Sequence, residues 1–207
     1  MDIIKRIDTK ELRFDDSFSV AMYCSKLLAT GKAEDAMVAR EIVIHILNNW
    51  SNISEESHPI WTDIVESAGF YPYIDKNRET MKLQSLSDEV RQKSYLSNYL
   101  SSTYFHKGQK ELSEYLLSGK NVIASAPTSF GKSLLIEELV ASRKYKNIVI
   151  IQPTLALLDE TRLKLRKYSE IYKIIVRTSQ LPAEEKGNLF LLTAERVMEY
   201  ECLPPID

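Results

Sequence analysis

The apolar residues of this chain change their spacing once, near residue 102, and that change constrains the fold more than any other feature. From about Asp16 to Ser102 they recur at intervals of three and four, the period of helices with one buried face. Beyond that point short β-branched runs alternate with amphipathic segments, the order that builds a parallel sheet covered by helices. With 207 residues there is enough chain to bury a core in each part. The expected fold is α/β, with a helical module over 1–103 and a parallel-sheet domain over 104–207.

In the first part, Ser17 to Thr30 reads as a helix closed by Gly31. Ala33 to Trp50 carries a continuous stripe of Ala36, Met37, Ala39, Ile42, Val43, Ile46 and Leu47. His45 beside it reads as a packed or partly exposed helix histidine, because no ligand partner lies one turn away. Ser54 to Ala68 continues the pattern, with Glu55 and Glu56 suited to the positive end of a helix. Gly69-Phe70-Tyr71-Pro72-Tyr73 then breaks it as a packed corner, and Ser85 to Ser101 reads as another helix. In the second part, Asn121 to Ser125, Asn147 to Gln152, Lys173 to Arg177 and Asn188 to Thr193 read as strands. Helices are expected at about Gly108 to Leu117, Lys132 to Arg143, Leu155 to Tyr168 and Ala194 to Tyr200.

Charge excludes little. The formal net charge is −2, with a sum of −4 over 1–104 and +2 over 105–207, a difference that permits nucleic-acid binding without requiring it. Cys24 and Cys202 are far apart and in no metal-ligand spacing, so neither a disulfide framework nor a zinc site is indicated. The residues from Met1 to Asp16 lack the apolar centre of a signal peptide, and no later run approaches the roughly 20 apolar residues needed to cross a bilayer. A cytoplasmic protein without membrane contact is the expectation.

The most informative stretch is Asn121-Val-Ile-Ala-Ser-Ala126-Pro127-Thr128-Ser129-Phe130-Gly131-Lys132-Ser133, followed by the helical Leu134-Leu-Ile-Glu-Glu-Leu-Val. A tight loop between a strand and a helix aims backbone N–H groups and the helix N-terminus at one spot, as a polyphosphate requires. Lys132 supplies charge for the β- and γ-phosphates of ATP, the Ser133 hydroxyl suits Mg2+, and Gly131 lets the backbone approach closely. Ala126 stands where the general G-x-x-x-x-G-K-S/T pattern has its first glycine.

Residues Ala126 to Ser133 resemble motif I of superfamily 2 helicases, A-P-T-x-x-G-K-S/T, in which alanine at the first position is usual. Phe105-His106-Lys107-Gly108-Gln109, 23 residues ahead of Lys132 at Gln109, resembles the Q-motif of DEAD-box members. That resemblance implies an adenine-reading amide at Gln109 and a stacking ring at Phe105 or Tyr104. Ile150-Ile151-Gln152-Pro153-Thr154 resembles motif Ia, implying nucleic-acid backbone contacts at Pro153 and Thr154, although Leu155 replaces the basic residue frequent in the family. Thr193-Ala194-Glu195-Arg196 resembles the T-P-E-R/K segment, implying further strand contacts at Thr193, Glu195 and Arg196. The resemblance covers about residues 104–200 and implies a partial RecA-like domain. The loop behind an extra helical module also resembles helicase subunits of bacterial anti-phage systems, including the Hachiman type, in which a motor works with an effector.

None of the expected strands ends in the Asp-Glu pair that orients water and metal in such hydrolases. The expectation is an N-terminal fragment cut before that motif, inactive in hydrolysis by itself, from a parent helicase or translocase acting on DNA or RNA. The helices of 1–103 are expected to bind a protein partner. Two other classes are compatible with the residues: a P-loop ATPase that switches a protein assembly without translocation, and a pure partner-docking module.

Overall fold

The computed structural model describes the chain apart from Met1, Lys10, Arg78, Gln84, Thr128, Ser129, Glu201 and Cys202, and the side chains of Asp2 and Thr9. The chain divides into two units, Met1–Ser97 with Ser102–Lys110, and Asn98–Ser101 with Glu111–Asp207.

The first unit is helical: α1 (Asp2–Thr9), α2 (Phe14–Ala29), α3 (Ala33–Asn48), α4 (His58–Ser67), α5 (Tyr71–Lys76), α6 (Leu86–Ser94) and the opening of α7 (Lys107–Leu117). Helix α2 stops where the Thr30 N–H and hydroxyl both donate to the Leu27 carbonyl, and Gly31 then turns the chain at a φ of +69°. A glycine reaches that left-handed region without the clash of a Cβ, so Gly31 closes the helix as expected, one residue past the Thr30 C-cap. Ala39, Ile42, Val43 and Ile46 of α3 pack against Cys24, Trp61 and Val65. The buried indole N–H of Trp61 donates to the Ser17 hydroxyl at 2.8 Å, so the largest core side chain leaves no polar atom stranded.

Three expectations for this unit need correction. Met37 is 69% exposed rather than part of the buried stripe, because two steps back from Ala39 rotate a residue by roughly 200° on a helix. Ser54 to Ala68 is not one helix: a 3-10 turn, Glu55–Ser57, precedes α4, whose first turn carries Pro59. Helix α6 ends at Ser94 rather than Ser101. There Leu96 bridges Tyr104, and the backbone N–H groups of Phe105 and Ser97 donate to the Tyr95 and Thr103 carbonyls at 2.8 Å. That pairing takes the backbone groups a longer helix would need. The start of α6 is a capping box, Ser85 exchanging hydrogen bonds with Asp88. The aromatic corner is packed, with the Tyr71 and Tyr95 rings stacked at 4.0 Å.

The second unit contains a parallel three-stranded sheet in the order β1-β3-β2: β1 (Asn147–Ile151), β2 (Tyr172–Ile175) and β3 (Gly187–Leu192). Helices α8 (Lys132–Ala141), α9 (Leu155–Leu165) and α10 (Ala194–Met198) complete it. The unbroken apolar run Leu189-Phe190-Leu191-Leu192 marks a strand buried on both faces. Leu189 and Leu191 join Ile148, Ile150, Leu158 and Val140 in one cluster, while Phe190 and Leu192 join Ile175 in another. Asn188, also buried, donates to the Asn147 side chain at 2.9 Å and to the Ala183 carbonyl at 3.1 Å.

The strand expected at Asn121 to Ser125 is absent. Residues 121–127 have no ladder, and Ile123 is fully exposed. The Val122-Ile123 pair supplies strand propensity, but a strand needs a neighbouring edge to satisfy its backbone groups, and the three-stranded sheet pairs none to this segment.

Candidate nucleotide-binding site

The phosphate loop enters α8 through Gly131, the helix N-cap, at φ 84° and ψ 33°. A Cβ at that φ is strained, so the position demands glycine. The Phe130 N–H donates to the Pro127 carbonyl at 3.2 Å, and the Leu134 N–H donates to the Gly131 carbonyl at 2.9 Å, opening the helix. The N–H groups of Lys132 and Ser133 therefore lie in the first turn, where an α-helix has no carbonyls to receive them and its dipole is positive. Thr128 and Ser129, expected to contribute to the same loop, lie outside the described residues.

Lys132 bends back over the loop, its ammonium donating to the Ala126 and Pro127 carbonyls at 2.7 Å each. The charge is thus held at the loop by two exchangeable neutral acceptors, an arrangement that a phosphate, as a charged acceptor, outcompetes. Ser133 accepts a hydrogen bond from the Lys164 ammonium of α9 at 3.3 Å. Lys164 also lies 3.5 Å from the Glu137 carboxylate, itself buried and paired with Lys167. The hydrogen bond that Lys167 donates to Glu137 is the main cause that holds the Lys167 pKa above its ordinary value. Burial, then the Glu137 charge, raise the neighbouring Tyr168 hydroxyl.

These residues fit a nucleotide phosphate, with a helix N-terminus that has no side-chain cap among the described residues, a left-handed glycine and a lysine held only by neutral carbonyls at one loop. They fit Mg2+ at Ser133 once Lys164 withdraws, since an ammonium 3.3 Å from the hydroxyl opposes a second cation there. The role of Lys164 was not read from the sequence. The only available sign was its place with Lys167 on one helical edge, which is the pattern of any solvated face.

Pro153 and Thr154 follow β1, while Thr193, Glu195 and Arg196 follow β3. The register of the two parallel strands and the Gln152 N–H to Leu192 carbonyl bond, 2.9 Å, bring both segments to the same carboxyl end of the sheet. Each has local work. Thr154 caps α9 by accepting from the Leu157 N–H at 3.3 Å. Glu195 is held below its usual pKa by its own backbone N–H and by the Thr193 hydroxyl. Arg196 donates to the Val176 carbonyl at 2.8 Å, bracing the chain just after β2.

Gln109 belongs to the first unit. Its side-chain oxygen accepts from the His106 backbone N–H at 3.0 Å, and its backbone N–H donates to the His106 ring nitrogen at 3.3 Å, a reciprocal cap at the start of α7. Phe105 is fully buried and has no face for a ring to stack on, which leaves Tyr104, partly exposed, as the stacking candidate.

Comparison with known proteins places these features. Residues 1–86 match the family described as Anti-bacteriophage protein B N-terminal domain, and residues 106–199 match DEAD/DEAH box helicase. Anti-bacteriophage protein B of Escherichia coli (strain K12) is 32% identical over 193 residues, covering 92% of this chain and 25% of that protein. The chain thus spans about a quarter of the length of the curated relative it matches. No solved structure matches. The stretch 106–199 thus resembles DEAD/DEAH box helicases, with a RecA-like fold, and the stretch 1–86 resembles Anti-bacteriophage protein B N-terminal domains.

Proposed function

We propose that this chain forms the ATP-binding front of a nucleic-acid motor that acts against bacteriophage. The observation that carries the reading is the left-handed Gly131 at the N-terminus of α8, with Lys132 folded over the loop, inside the stretch that matches helicases. In this reading Ala126 to Ser133 bind the phosphates, with Lys132 and Ser133 as the groups nearest the reacting phosphate. Mg2+ at Ser133 supplies charge neutralisation between phosphate oxygens when bound. Gln109 remains the candidate for adenine on the sequence argument.

Pro153, Thr154, Thr193, Glu195 and Arg196 form the candidate contact for a DNA or RNA strand, supported by their shared position at the carboxyl ends of β1 and β3. Residues 1–103 serve as the partner-binding module and 104–207 as part of the ATP-binding domain. The setting is cytoplasmic; no helix among the described residues is long and apolar enough to cross a membrane. ATP turnover coupled to movement along nucleic acid is the activity proposed for the whole protein. Plating phage on cells that express the full-length protein tests this. Protection should be lost in Lys132→Ala at unchanged protein level, and protection that survives the substitution contradicts an ATP-dependent role.

A further inference from the structure

Helix α2 carries an apolar row that the core of the helical unit does not use. Phe14, Phe18 and Met22 follow one another at intervals of four and are 38%, 44% and 47% exposed. The two phenyl rings stack on each other with centroids 6.0 Å apart. Four steps along a helix advance a side chain by only about 40°, so the row keeps to one flank, beside the buried face of Ser17, Val20, Ala21 and Cys24. Single apolar side chains on a surface are ordinary, whereas a contiguous row of large ones marks a contact surface. Rows spaced by four are also the ridges of the commonest helix pairing, in which the ridges of both helices run alongside each other.

The two ends of the row differ in charge. At the Phe14 end a cleft of about 640 Å³ is lined by Phe14 itself and by the buried Leu12 and Ile53, which bridge each other. Glu11, Glu55 and Glu56 also line it, against the single guanidinium of Arg13. None of these three carboxylates has an ion pair or a side-chain hydrogen bond among the described residues. At the other end the next position of the row, four after Met22, is Lys26. It is exposed and likewise has no ion pair among the described residues.

We propose that α2 pairs with α2 of a second copy of this chain, antiparallel across a two-fold axis at Phe18, with Lys26 of each copy entering the acidic cleft of the other. The register follows from the spacing. A two-fold at residue 18 sets Met22 of one copy beside Phe14 of the other, and Lys26 just ahead of Phe14, where the cleft lies. There the lysine stem rests on Leu12 and Ile53 while its ammonium meets the carboxylates. The row is thus complementary to itself in apolar contact and in charge, as a two-fold contact requires. One row buries little area, so the dimer is weak and depends on concentration. The pairing gives the module proposed over 1–103 its partner, and rests on that reading.

Sedimentation velocity of the chain over a range of concentrations, without nucleotide, should show a monomer–dimer equilibrium. Lys26→Glu and Phe18→Ser, both at exposed positions, should keep the melting temperature and weaken dimerisation about tenfold, because each change acts twice in a two-fold contact. Adding Glu55→Lys and Glu56→Lys to Lys26→Glu should restore the dimer. A short bis-maleimide on a Cys202→Ser background reads the geometry: Phe18→Cys should link to itself. Met22→Cys should not, yet should link to Phe14→Cys when the two variants are mixed. A chain that is monomeric at every concentration, a dimer that neither Lys26→Glu nor Phe18→Ser weakens, or Met22→Cys linking to itself as readily as Phe18→Cys overturns the proposal. A monomer leaves the row to another protein, so this pairing and the wider reading of 1–103 as a partner-binding module fail separately.

Discussion

The ammonium of Lys164 lies 3.3 Å from the Ser133 hydroxyl and 3.5 Å from the Glu137 carboxylate, so one lysine joins the candidate metal-holding serine to a buried acid. In the arrangement described, the serine is engaged by a positive charge. For Mg2+ to use the hydroxyl, Lys164 must turn toward Glu137, so metal and lysine compete for one oxygen.

Replacing Lys164 by Met removes that competition. The gain in nucleotide affinity on adding Mg2+ should rise severalfold relative to the unchanged chain, in line with the roughly 0.2–1 kcal/mol of a partly exposed charged contact. Titrating a fluorescent ATP analogue with and without Mg2+ measures it. An unchanged or smaller Mg2+ gain means that Lys164 does not oppose the metal.

Glu137 should matter for stability in its own right, because it is buried and accepts from two lysines that join α8 to the end of α9 and the turn after it. Glu137→Gln is expected to cost about 1–2 kcal/mol in urea unfolding near neutral pH, the lower part of the buried-pair range because both lysines stay partly exposed. The sign with pH follows from Lys167, whose pKa is raised. Its contribution is complete below the ordinary lysine pKa and disappears as pH rises through the raised value. The variant should therefore lose less stability than the unchanged chain on strong alkalinisation.

Gly187 begins β3 where a Cβ would fall 2.5 Å from the Tyr172 ring and 2.9 Å from the Lys146 carbonyl. The carbonyl belongs to backbone and the ring is packed, so neither yields easily. Gly187→Ala should destabilise the second unit by about 2–3 kcal/mol, read as a lower unfolding midpoint.

Cys24 is fully enclosed, and burial pushes its thiol up to about 12. Without thiolate the residue is a small apolar core group, and iodoacetamide should leave it unmodified in the native chain at neutral pH. Mass mapping after labelling in urea should then find it alkylated; modification under native conditions would show that the core around α2 and α3 opens.

How much of this was legible depended on whether a signal was local. Gly31, the α3 stripe from Ala39 to Ile46, the three strands of the sheet and the helix after Gly131 all rest on nearest-neighbour chemistry, and the structure has them. The strand at Asn121 to Ser125 was misread because a strand exists only with a partner, and five residues do not reveal whether one is present. Met37 was misplaced by a stripe drawn too wide for one helical face. The end of α6 was missed because the Leu96 to Tyr104 pairing that stops it joins residues eight apart. Around the loop, the turn at Gly131 and the start of α8 are local features, whereas Lys164, Glu137 and the brace of Arg196 on Val176 depend on helices and strands meeting in space.

The central claim, that Lys132 and its loop bind nucleotide, is tested most directly by calorimetric titration of a non-hydrolysable ATP analogue into the chain in the presence of Mg2+. The account predicts one binding event, weakened at least about tenfold in Lys132→Ala while the variant keeps its helical circular dichroism. Equal affinity in the folded variant, or no binding by the unchanged chain, contradicts it.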